Sequence, residues 1–255
     1  MSFSCNFDYH MHTSFSDGQN TMEEMFNKVK SIGLKRFGIT DHFELNAKNT
    51  VKVSAREYNN KFSEIKKISK DSGIKFYRGI ETGIGENGLL IPQGEIERDY
   101  TIASVHKVSN DENCDENEYW KKYKRLIENA LEKYDFEILG HIEGYLPVKN
   151  DKYLKTTFEQ RRKIERKIAI KYFSFDWYEK IAEIMKKRKI YLEIHGATNS
   201  PRIEVIDLMR KRGVKFSFGS DAHSSEQLVI HRQYIENVIN LLDLNDNDFI
   251  NFDKS

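Results

Sequence analysis

The amino-acid sequence predicts an α/β fold in which parallel strands alternate with helices around a closed or nearly closed barrel. Three observations lead there. Seven short β-rich runs are separated by longer stretches, most of them with helical patterning. No Gly-rich phosphate loop follows any run, as the rival doubly wound sheet would favour; Gly83-Ile84-Gly85 is only a fragment of one. Almost all the histidines stand at the ends of the β-rich runs, which in a parallel barrel form one rim.

The elements follow in order. Phe7–His12 is the first strand, rich in residues that favour a pleated surface. Thr21–Ile32 is a helix: Thr21 caps it, Glu24 stands at capping-box spacing, and Met22, Met25, Phe26 and Val29 form its apolar stripe. Arg36–Asp41 is the second strand, Glu57–Ser69 the second helix and Lys75–Glu81 the third strand. Tyr100–His106 and Phe136–His141 are strands on either side of a helix over Glu116–Tyr134. Gly144–Thr157 has no clear period and reads as a long loop, which in a barrel borders the site. Helix Phe175–Lys187, strand Ile190–His195, helix Ile203–Arg212, strand Lys215–Ser220 and helix Glu226–Leu242 complete the alternation. Gly33, Gly73 and Gly213 sit just past helical runs, where a left-handed residue ends a helix. The tail Asp243–Ser255 is polar and is expected to fray.

Composition narrows the class. The 255 residues are 38% hydrophobic and 32% charged, with 3 Pro and 14 Gly, which excludes collagen-like and Pro/Gly-rich disordered chains. The 41 Lys and Arg nearly cancel the 40 Asp and Glu, so no overall charge draws the chain to nucleic acid or an anionic membrane. No apolar run is long enough for a membrane span, and Met1–His12 lacks the pattern of a signal peptide. Cys5 and Cys114 make no disulfide framework. A single domain over residues 1–255, cytoplasmic and with reduced thiols, is expected.

Of the 8 histidines, His10 and His12 end the first strand, His42 follows the second, and His106, His141 and His195 end the fourth, fifth and sixth. His223 follows the seventh, and only His231 lies within a helical stretch, where a surface role suffices. Asp17, Glu81 and Asp221 accompany them. Imidazoles crowded together make a poor core, because each ring N–H needs a partner. A metal cluster resolves this, since imidazole nitrogen and carboxylate oxygen suit Zn, Fe and Mn. His10-x-His12 and Asp221-x-His223 place both members on one face of an extended chain.

These residues carry a family resemblance. His10-Met11-His12-Thr13 with Ser16-Asp17-Gly18, then Thr40-Asp41-His42, Gly79-Ile80-Glu81, Ser104-Val105-His106, Leu139-Gly140-His141 and Gly219-Ser220-Asp221-Ala222-His223 resemble, in order, the motifs of the polymerase and histidinol phosphatase (PHP) superfamily. The resemblance covers Asp8 to His223 and implies a distorted seven-stranded TIM-like barrel with three divalent metal ions. It assigns His10, His12, Glu81 and Asp221 to the first metal, with Glu81 bridging to a second held by His106 and His141. Asp17, His42 and His223 hold the third. Asp41 points to the opposite face and supports its neighbours. The segment Leu192-Glu193-Ile194-His195 resembles one that usually ends in Asn, so His195 is a candidate proton donor or a residue behind the ligands.

The resemblance implies hydrolysis of a small phosphomonoester by a metal-activated hydroxide, with histidinol phosphate the leading substrate. A phosphodiesterase or exonuclease on nucleotides or short nucleic acid is the alternative, and a non-catalytic accessory module a third. No Ser stands in a Gly-x-Ser-x-Gly elbow, which argues against a protein nucleophile. Lys107, Lys149, Arg202 and Arg232 are the basic candidates for holding the substrate phosphate, Arg202 first among them. The run Gly144-Tyr145-Leu146-Pro147 lacks the Arg pair that a typical histidinol phosphatase leads one to expect there.

Overall fold

A computed structural model describes residues 5–92, 96–109, 114–148 and 156–252. Seven strands pair in sequence order, all parallel. They are β1 (Phe7–Asp8), β2 (Arg36–Ile39), β3 (Lys75–Gly83), β4 (Tyr100–Ser104), β5 (Ile138–Leu139), β6 (Tyr191–His195) and β7 (Phe216–Gly219). The ring closes where the backbone N–H of Tyr9 reaches the Phe218 carbonyl at 2.9 Å and that of Asp221 reaches His10 at 2.8 Å. Several strands end before the β-rich runs do. Beyond Asp8, Ile39, Ser104 and Leu139 the chain leaves the ladder, and its histidines turn inward over the barrel mouth.

Helices α1 (Met22–Ser31), α2 (Ala55–Asp71), α3 (Glu116–Lys133), α5 (Phe175–Arg188) and α6 (Ile203–Lys211) lie close to expectation. Thr21 and Glu24 form the capping box, and Met22, Met25, Phe26 and Val29 are buried. Gly33, Gly73 and Gly213 have φ of 78°, 68° and 85°.

Three expectations are corrected. An additional helix, α4 (Phe158–Tyr172), precedes α5; Thr157 and Gln160 box its start, but only Glu165, Ile168 and Ala169 are buried, so it has no apolar stripe to announce it. The last helical stretch divides into α7 (Gln227–Ile230) and α8 (Arg232–Leu242) at His231, whose Nδ1 lies 2.8 Å from the Ser220 carbonyl oxygen. The tail does not fray as far as Phe252. The Ile250 N–H bonds Phe216 at 2.8 Å, Phe249 packs edge-on to Phe7, and Phe252 packs on Tyr9 and Tyr100.

These aromatic rings fill the barrel from the end where its strands begin. Tyr100 spans the interior, its hydroxyl donating to the Tyr9 carbonyl at 2.6 Å. Gly38 and Gly79 face it because a Cβ at either would stand 1.8 Å or 2.4 Å from the Tyr100 side chain. Phe249 is 2% exposed. Phe249→Ala is therefore expected to lower unfolding free energy by about 3–5 kcal/mol, read as a lower urea midpoint with an unchanged slope. A loss below about 1 kcal/mol would mean that the tail only rests on the barrel.

Candidate metal centre

The residues beyond the strand ends converge. Glu81, 1% exposed near the end of β3, lies at the centre. Its Oε1 is 2.9 Å from His141 Nε2 and 3.2 Å from His106 Nε2. Its Oε2 is 3.1 Å from His42 Nδ1, 3.3 Å from His10 Nε2 and 3.4 Å from His12 Nε2. One carboxylate thus presents each oxygen to a separate set of imidazoles. Asp221 Oδ1 lies 3.0 Å from His12 Nε2 and 3.5 Å from His10 Nε2. Asp17 lies 3.3 Å from His223 Nε2, and 3.7 Å from both His12 Nδ1 and His42 Nε2.

The donor set fits cations. His10 Nε2 and His12 Nε2 face each other at 3.1 Å. His12 Nδ1, His42 Nδ1 and Asp221 Oδ1 are buried without a hydrogen-bond partner among the described residues, a costly state that metal coordination would relieve. Among the described residues five groups of donor atoms lie mutually within 4.8 Å: His10, His12 and Asp221; Glu81, His106 and His141; His12, Asp17, His42 and His223; His10, Glu193 and His195; and His42, Glu44 and His106. Burial pushes His42 down to about 3. Burial also opposes charge on His106 and His223, but adjacent carboxylates outweigh it and hold them up at about 10 and about 9. A divalent ion would take over from protons as the carboxylates' partner.

Local structure holds this arrangement. Asp221 has φ of 51°, in the left-handed region that non-glycine residues seldom occupy, and its N–H is tied to His10. Asp41 faces away from the cluster and accepts from Thr13 N–H, the Thr13 and Ser16 hydroxyls and Tyr58 at 2.5–2.7 Å. It thereby folds the loop that presents Asp17.

Two carboxylates escaped the sequence reading. Glu193 Oε1 lies 2.6 Å from His10 Nδ1, while its Oε2 accepts the His141 backbone N–H at 2.7 Å. Glu44 Oε2 lies 2.5 Å from His106 Nδ1. Each fixes which ring nitrogen faces the centre. Gly219 makes room for Glu193, since a Cβ there would stand 2.2 Å from Glu193 Oε1. The period-two spacings Glu193-x-His195 and His42-x-Glu44 were the available signals.

The other predicted residues divide. Lys107 lines the cavity of about 800 Å³ above the cluster, together with Glu81, His106, His141 and Asp221. His195 is wholly buried, with Nδ1 2.5 Å from Thr198 Oγ1 and Nε2 3.1 Å from Asp221 Oδ2. Both ring nitrogens are engaged, one of them by Asp221, and burial lowers its pKa. Arg202 does not overhang the cluster. Its guanidinium pairs with Glu143 at 3.0 Å and donates to the Phe173 carbonyl at 2.8 Å, beside a separate cavity of about 500 Å³. Arg232 donates to the carbonyls of Cys5 and Phe7, toward the strand-starting end of the barrel, and is also removed from the site. Lys149 lies outside the described residues. Among the described residues no helix is long and apolar enough to cross a membrane.

Comparison with known proteins agrees with the motifs. A probable histidinol-phosphatase of Thermotoga maritima is 27% identical over 231 residues, 87% of this chain and 85% of that protein. The DNA polymerase/3'-5' exonuclease PolX of Bacillus subtilis is 25% identical over 226 residues, 87% of this chain but 35% of that protein. The crystal structure of histidinol phosphate phosphatase (HISK) from Lactococcus lactis, complexed with Zn, L-histidinol and phosphate, shares the fold. Its TM-score is 0.70 at 18% identity, with 97% of this chain and 99% of that one covered. The sequence model of the PHP domain matches residues 8–197, and the chain belongs to the PHP domain family.

Proposed function

We propose that this chain is a metal-dependent phosphatase of small phosphomonoesters, with three divalent ions at the barrel mouth and histidinol phosphate as the first candidate substrate. The carrying observation is Glu81, whose two oxygens face separate sets of imidazoles. His10, His12, Glu81 and Asp221 would hold one ion, Glu81, His106 and His141 a second, and Asp17, His42 and His223 a third. Divalent ions there supply Lewis acidity toward phosphoryl oxygens and make hydroxide available near neutral pH.

The protein's own contribution is orientation and charge. Glu193 and Glu44 hold His10 and His106 in position from behind. Lys107 stands exposed at the cavity wall, where an ammonium attracts a phosphate dianion. The relatives named a probable histidinol-phosphatase and a histidinol phosphate phosphatase support the substrate choice. Zn, Fe and Mn all suit the ligand set.

The test is metal analysis of freshly purified protein, followed by assays with Zn, Mn or Fe. The substrates are histidinol phosphate, an aryl phosphate, an aryl phosphodiester and a short oligonucleotide. Turnover of the monoesters is expected; preference for the diester or oligonucleotide would replace this reading with the phosphodiesterase one.

His195→Asn is expected to retain kcat within about tenfold of the parent, because an amide can still donate to Asp221. The reduction should be equal for alkyl and aryl phosphates. A fall of about 10²–10⁴ confined to alkyl esters, whose leaving group needs a proton, would instead make His195 the general acid.

A further inference from the structure

Tyr145 lies in the loop after β5, in the stretch that lacks the arginines sought from the sequence. It lines the same cavity as Glu81, His141 and Asp221. Its ring stands edge-on to His141 and His195, with centroids 5.8 Å and 5.6 Å away. Its φ is 46°, a conformation that a bulky side chain adopts only when its surroundings impose it.

Those surroundings are built around it. The preceding Gly144 N–H closes a turn onto the His141 carbonyl at 2.8 Å. The following Leu146 N–H donates at 3.0 Å to Glu165, a carboxylate 1% exposed on α4. Arg161 and Arg162 of α4 bond the same carboxylate at 3.1 Å and 2.5 Å. The Arg161 guanidinium also lies over the Tyr145 ring, 5.6 Å from its centroid. Helix and loop are thus locked together, and the strained residue they hold faces the cluster.

Among the described residues none makes a hydrogen bond with the Tyr145 hydroxyl. A phosphate ester brings acceptor oxygens, and Tyr145 offers a neutral hydroxyl donor on the wall that also carries Lys107. We propose that Tyr145, braced by Arg161, is a substrate-contacting residue whose hydroxyl donates a hydrogen bond to an oxygen of the phosphate group of a phosphomonoester. The proposal rests on the phosphatase reading above. Arg161 acts through the tyrosine as a positioning residue.

Tyr145→Phe removes one oxygen and keeps the ring. The test compares parent and Y145F protein, both carrying their metals, by steady-state kinetics on an aryl phosphate and by calorimetric titration with inorganic phosphate. Kcat/KM is expected to fall about tenfold and phosphate affinity about five- to tenfold, the scale of one hydrogen bond, with metal content unchanged. Arg161→Ala should weaken phosphate binding in the same direction by a smaller factor. Kinetics and phosphate affinity both within twofold of the parent would overturn the proposal, as would loss of metal from Y145F, which would make the residue structural. If the parent turns over no monoester but Y145F still loses phosphate affinity, the hydrolysis reading fails and the Tyr145 contact stands.

Discussion

Glu81→Gln is expected to reduce kcat/KM by about three to five powers of ten, since charge stabilisation and nucleophile generation fail together when a shared ligand is lost. The substitution is nearly isosteric, so the barrel should fold as before. What changes is charge. A single buried carboxylate serves His10, His12, His42, His106 and His141 within 3.4 Å. The amide of glutamine presents a donor where one of those oxygens accepts, and the cluster loses the anion that separate cations would share. Kinetics paired with metal analysis distinguish the outcomes. Near-parent turnover with a full metal complement would show that Glu81 bridges nothing.

The second large effect is metal removal. Dialysis against a chelator is expected to abolish hydrolysis and to lower the melting temperature. A ligand present at a thousand times its dissociation constant stabilises the folded state by about 4 kcal/mol, and 1 kcal/mol corresponds to about 2–4 °C in a domain of this size. A fall on the order of 10 °C is therefore expected, larger if several ions leave, with recovery on adding Zn, Mn or Fe. Calorimetric melts before and after chelation check it. An unchanged melt and unchanged turnover would remove metals from both the reaction and the fold.

Much of this was legible in the residues themselves. Strand runs rich in Phe, Tyr and Ile, most of them ending at or just before a histidine, declared the parallel barrel and its rim, because hydrophobic period and residue type are local properties. Helix α4 was not legible: a helix that buries so few side chains against its neighbours leaves no apolar period, and its capping box was its one sign. Glu193 and Glu44 stood in plain view at period-two spacing, yet a carboxylate behind a histidine is identified by contact rather than by order. Arg202 and Arg232 show the opposite failure. Sequence placed each near a strand end, but which way a long side chain turns is decided by Glu143 and Phe173 in one case and by the carbonyls of Cys5 and Phe7 in the other. The tail misled for a related reason: its polar average concealed Phe249 and Ile250, both 2% exposed.

That tail bears on how the chain comes into being. Phe7 in the first strand packs against Phe249, and Tyr9 just beyond it bonds Phe218 of β7, both partners lying more than 200 residues later in the chain. At the usual pace of translation, about 5–20 residues per second, tens of seconds separate the emergence of Phe7 and Tyr9 from that of the rings that cover them. Throughout that interval the nascent chain exposes an unclosed strand edge and an aromatic interior, features that favour association with other chains.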